Sequence, residues 1–197
     1  MKRLIVVLLF ASFALAQTAN QTPGTPPPPA APAQQTPAPA PEIPPANPAD
    51  VKSLDAIIHA VYDVISGPVG QKRDWNRFRS LFIPGARLIP AGPKREGAGY
   101  AVRVLSAEDY VARVQNPFNQ QGFYETEAAR TVEQWGNIAQ VFSTYESRHA
   151  PGDQPFQRGI NSFQLLNDGQ RWWVVTIYWQ GETKDVPIPP EFLKSPK

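Results

Sequence analysis

After Phe118 the spacing of apolar residues changes from a repeat of about 3.6 to a repeat of about 2, and that change constrains the fold more than any other feature. Upstream, "SLDAIIHAVYDVISG" offers Ser53 as a cap and sets Leu54, Ile57, Ile58, Val61, Val64 and Ile65 along one side. It stops at Gly67-Pro68, which predicts a helix. "DWNRFRSLFIPG" predicts a second, shorter helix ending before Pro84, with Trp75, Phe78, Leu81 and Phe82 turned inward. "ARLIPAG" and "YAVRVL" fit strands separated by a loop, and "SAEDYVARVQN" predicts a third helix from Ser106, closed by Asn116-Pro117. Downstream, "GFYETEAARTVEQWG", "IAQVFSTYESRH", "RGINSFQLLND" and "QRWWVVTIYWQGE" alternate as strands do, with "NDGQ" as a hairpin turn between the last two. Helices followed by antiparallel strands is the order of an α+β fold.

The flanks are of a different kind. Residues 1–16 join a Lys2-Arg3 head to an apolar run ending in Ala14-Leu15-Ala16. This is the order of a signal peptide cut after Ala16, which predicts a secreted or periplasmic protein. An N-terminal membrane anchor is the alternative, although the run is short for a bilayer. Residues 17–50 hold twelve of the 23 prolines, with Ile43 as their one sizeable apolar side chain, and predict a disordered, extended linker. Residues 184–197 are again proline-containing and are expected to pack loosely, which leaves 51–183 as the folded domain. There is no cysteine, so neither a disulfide nor a lipidated-cysteine anchor supports the domain. Loss of Lys2 and Arg3 would leave 17 basic against 17 acidic residues, and no basic stripe suggests nucleic acid.

Three stretches, "SLDAIIHAVYDVI", "DWNRFRSLFIPGARLIP" and "GINSFQLLNDGQRWWVVTIYWQ", resemble the NTF2-like superfamily, which includes SnoaL-like and ketosteroid-isomerase-like proteins. The resemblance implies a cone with N-terminal helices packed on a curved, mainly antiparallel sheet. It further implies a pocket between helices and sheet, and a homodimer formed through the opposite sheet face. Divided by parity on that expectation, the last strand gives Trp172 and Tyr178 to the pocket, and Trp173, Val175, Ile177 and Trp179 to the subunit contact; the alternative is the reverse, with the apolar set packed beneath the helices. Tyr62, Trp75, Phe78, Tyr110 and Phe142 complete the expected ligand-binding set, an apolar surface with a few hydroxyl groups.

Chemistry is thinly marked. The family's carboxylate base lies near the strand after the second helix, where "FIPGARLIPAG" has no Asp or Glu. Glu125, Glu127, Glu133 and Glu146 lie on strands of one sheet. Glu146, alternating with Tyr145, is the acid considered for the cavity, beside Arg148 and His149 at its rim. His59, four residues from both Asp55 and Asp63, fits a solvated helix face better than a catalytic role. Two distant histidines and no cysteine match no metal site, and no cofactor motif is present. The sequence therefore favours non-catalytic binding of a small apolar or amphipathic molecule, or an envelope scaffold role. A small-molecule isomerase, dehydratase or hydrolase, and a dimerisation or assembly module, are the alternatives.

Overall fold

A computed structural model of the chain describes residues 42–194. The expected signal peptide and most of the proline segment lie outside the described residues. The elements run α1 (Pro48–Val51), α2 (Leu54–Ile65), α3 (Trp75–Ser80), β1 (Phe82–Pro93), β2 (Tyr100–Val102) and α4 (Ala107–Gln121). Then follow β3 (Tyr124–Trp135), β4 (Ile138–Arg148), β5 (Gln157–Asn167), β6 (Trp172–Gly181) and a 3-10 turn at Pro190–Leu193. No helix among the described residues is long and apolar enough to cross a membrane.

Local chemistry sets the helix ends. Ser53 Oγ accepts from the Ala56 N–H at 3.1 Å, one of the donors a helix start leaves free. At α4, Ser106 Oγ accepts from the Asp109 N–H at 3.1 Å while the Asp109 carboxylate accepts from the Ser106 N–H at 3.0 Å, a reciprocal box. This helix does not stop at Asn116-Pro117 but carries Pro117 internally and ends at Gln121. Proline removes one backbone bond. The extra turn in exchange packs Phe118 on the core and stacks it 4.1 Å from Phe123. Gly122 then closes the helix at φ 68°, where a Cβ would meet the His149 carbonyl oxygen at 2.7 Å. Helix α1 begins inside the stretch expected to be extended. Its Asp50 is buried and receives a two-pronged bond from Arg77 at 2.7 and 2.9 Å.

The strands form one six-stranded sheet in the order β2-β1-β6-β5-β4-β3. The β1–β6 pair is parallel and the others are antiparallel, so the sheet is mixed. The expected cone on a curved sheet is thereby corrected: the sheet is open, neither closing on itself nor curling strongly. Its ladder ends at β2, three exposed residues paired with β1 alone, and at β3, paired with β4 alone. Among the described residues no ladder joins the two edges.

Helix α2 buries Ile57 and Ile58 completely in one core with Val141, Phe163 and Val174 of the sheet. Each such side chain stabilises the fold by roughly 1.5–3 kcal/mol. The end of the chain packs more closely than expected. Phe142 on the outer sheet face lies 5.7 Å, ring to ring, from Phe192, and the Thr144 hydroxyl donates to the Phe192 carbonyl. Ile188 and Phe192 give the proline-containing tail apolar anchors that its overall composition conceals.

Candidate functional site

Helices α2, α3 and α4 and the inner sheet face enclose a cavity of about 240 Å³. Its walls are mostly apolar, with Ile65, Phe78, Tyr110, Phe163, Ile177 and Trp179 among them. One acid, Glu125, stands in this lining.

Strand β3 places that acid. Glu125 and Glu127 alternate inward, opposite Ser147 and Tyr145 of β4. The register then skips Ala128, so that Ala129 turns to the outer face and Arg130 inward. Ser147 Oγ donates to Glu125 Oε2 at 2.8 Å, and Ser66 Oγ accepts from the Glu125 N–H at 3.0 Å. Burial pushes the Glu125 carboxyl up to about 7, while hydrogen bonds from Ser147 and Asn161 pull it the other way. Loss of hydration dominates because too few donors replace the water.

A chain of polar groups backs the site. Asn161 Nδ2 donates to Tyr62 Oη at 3.1 Å, the Tyr62 and Ser143 hydroxyls share a bond of 2.6 Å, and Ser143 Oγ donates to Glu127 at 2.5 Å. Glu127 is in turn held by Arg130, which also reaches Asp55 at 2.7 Å. With Ser143 donating to Glu127, Tyr62 is left as the donor to Ser143. Burial raises the Tyr62 phenol above its ordinary range. Tyr110 and Tyr145 also line the cavity. Burial first, then the charge of Glu125, holds both phenols protonated. Neither hydroxyl has a hydrogen-bond partner among the described residues, so both remain free to meet a ligand.

Of the residues expected at a ligand site, Phe78 and Tyr110 line the cavity and stack at 5.3 Å. Tyr62 stands behind it, bonded to the lining residue Asn161. Trp75 packs edge-on against Phe78 from outside the lining, Trp172 is buried in the core, and Phe142 lies on the outer face. Tyr178 is 46% exposed on that outer face, whereas Ile177 and Trp179, expected at a subunit contact, line the cavity. The parity assignment is corrected by a bulge. Gln164 pairs with Thr176 and Leu165 with Val174, so Val175 is skipped and every later residue of β6 changes face. Trp173 is engaged locally, donating to Asp168 at 2.7 Å under the Arg171 guanidinium.

Glu146 pairs with Arg148 away from the cavity, because Tyr145 and Ser147 take the inward positions on β4. His149 stacks at 4.3 Å on Phe156, a residue of the cavity lining. His59 is exposed, with Asp55 and Asp63 taken by Arg130 and Arg77. Glu125 was legible as one of four sheet acids, and its alternation with Ser147 and Tyr145 across the strand pair is the signal that separates it from Glu146. Among the described residues no three His, Cys, Asp or Glu side chains gather as a metal site requires.

Fold and site define a class: an α+β domain whose helices cover an open sheet and enclose one acid in an apolar cavity. No protein-family model and no curated protein matches the chain. Among solved structures, a protein of unknown function with a cystatin-like fold from Nostoc punctiforme is similar at TM-score 0.50 and 9% identity, over 66% of this chain and 90% of that one. An NTF2-like protein of unknown function from Silicibacter pomeroyi follows at 0.46 and 15% identity, over 66% and 94%. Another from Shewanella baltica stands at 0.43 and 18%, over 67% and 98%. At 9% identity the likeness to the Nostoc punctiforme protein is one of fold alone.

Proposed function

We propose that the chain is a small-molecule enzyme of the isomerase or dehydratase type, in which Glu125 moves a proton on a substrate bound in the cavity. The observation that carries this reading is the Glu125 carboxyl itself, held at a pKa of about 7 in an apolar wall. Burying an acid there costs stability, and a value near neutrality suits a group that both accepts and returns a proton. As a carboxylate, Glu125 takes a proton from a carbon beside a carbonyl. The negative charge passes to the carbonyl oxygen, where the free hydroxyl of Tyr110 or Tyr145 donates to it. The same carboxyl then returns the proton to another carbon. In an elimination it protonates a departing hydroxyl, which leaves as water. Within this proposal the domain is exported and cut after Ala16, which N-terminal sequencing of the mature chain checks.

The test is exchange of the α-protons of cyclohexanone in deuterated water, followed by proton NMR with the full chain. The expected result is acceleration that rises with pH through about 7 and falls about 100-fold in Glu125→Gln. Equal exchange by parent and variant would refute the reading. A binding-only role is the second reading, favoured because Glu125 has no partner acid in the cavity lining. Saturable ketone binding without exchange would establish it instead.

A further inference from the structure

Beside the cavity lies a groove of about 450 Å³, lined by Lys94 and Arg95 of the β1–β2 hairpin, Arg103 after β2 and Arg113 of α4. No Asp or Glu lines it. Tyr110, Val114 and Trp179 belong to the walls of both spaces, so groove and cavity meet along these three side chains.

The four cations differ from the five arginines of the domain that hold acids. Arg77, Arg79, Arg130, Arg148 and Arg158 each hold a carboxylate. Among the described residues, the side chains of Lys94, Arg95, Arg103 and Arg113 make neither an ion pair nor a hydrogen bond, and all four are exposed. The acids near them are spent or turned away. Glu108 is held by Arg79, Asp109 caps α4 through Ser106, and Glu96 stands on the hairpin without lining the groove. Because the chain from Gln17 onward is balanced in charge, four unpaired cations in one groove are a local concentration rather than an overall excess. Such a groove attracts anions, and attracts them towards the apolar cavity it adjoins.

We infer that the ligand is an amphipathic anion, with an apolar body in the cavity and a carboxylate, sulfonate or phosphate group in the groove. This rests on the cavity being the ligand site, and it adds the substrate class. A neutral molecule of the same shape gains only the apolar part of the interaction. Arg103 and Arg113 belong to different elements of the groove lining, and each guanidinium offers a planar fork of donors to an anion.

The test uses two fluorescent probes with one aromatic body, 8-anilinonaphthalene-1-sulfonate and the uncharged N-phenyl-1-naphthylamine, titrated into the full chain. The expected result is sulfonate binding about tenfold tighter than that of the neutral probe, with the margin shrinking as salt rises. The double variant Arg103→Ala/Arg113→Ala changes exposed side chains alone. It should lose most of that margin, bind the neutral probe as before, and keep the parental melting temperature. The single variant Lys94→Glu should weaken the sulfonate in the same direction. Equal affinity for the two probes, or a margin untouched in both variants, overturns the anion assignment while leaving the cavity as a binding site. Failure of both probes to bind the parent overturns the cavity reading together with it.

Discussion

Ser147 Oγ donates to Glu125 Oε2 across 2.8 Å, from the neighbouring strand and inside the same cavity wall. The bond favours the ionised acid, against the larger effect of burial. Ser147→Ala should therefore push the Glu125 carboxyl further up, by about one unit. The pH midpoint of α-proton exchange reads this shift directly. A midpoint that stays in place would show that Ser147 does not tune the acid.

Glu125 also ties stability to pH. In the folded chain its carboxyl keeps its proton to about 7, against an ordinary value of 4.5. Below the ordinary value both states are protonated and the acid exacts no penalty. As pH rises through that window the unfolded chain ionises first, so stability falls, and the loss is complete above the folded value. The shift corresponds to about 3 kcal/mol at most. Glu125→Gln has no such titration. Urea denaturation should find its stability relative to the parent about 1–3 kcal/mol higher at alkaline pH than near pH 4.5.

Arg73 holds the turn that follows α2. Its buried guanidinium donates to the carbonyls of Ile65 at 2.9 Å, Gln71 at 2.6 Å and Gly67 at 2.6 Å. Gly67 in turn pairs with Phe123, next to the start of β3, through backbone bonds of 2.7 and 3.0 Å. Arg73→Met leaves these carbonyls without donors and should cost about 3 kcal/mol. Arg73→Lys should recover little, because one ammonium cannot span the positions reached by a planar fork. Thermal melts of both variants check this.

What the sequence discloses follows from how far its periodicities run unbroken. The apolar side of α2 and its Ser53 cap are local, so they are legible, as is the hairpin at Asn167-Asp168-Gly169. The inner face of β6 is not, because one skipped residue at Val175 reverses the parity of Ile177, Tyr178 and Trp179. The same device at Ala128 in β3 puts Glu127 and Arg130 on one face. Pro117 marks a stop by backbone chemistry alone, and the stacking of Phe118 on Phe123 that carries the helix past it is a packing contact outside that local signal. Glu125 and Glu146 looked alike as sheet acids. Only the register of β3 on β4 determines that Ser147 faces the first while Arg148 takes the second.

The proposed chemistry requires a carboxyl with a raised pKa inside the cavity. Carbon-13 NMR of the side-chain carboxyl, assigned by comparison with Glu125→Gln and titrated in the full chain, measures it without a substrate. The expected midpoint for Glu125 lies near 7. A Glu125 midpoint at the ordinary value of 4.5 would contradict it.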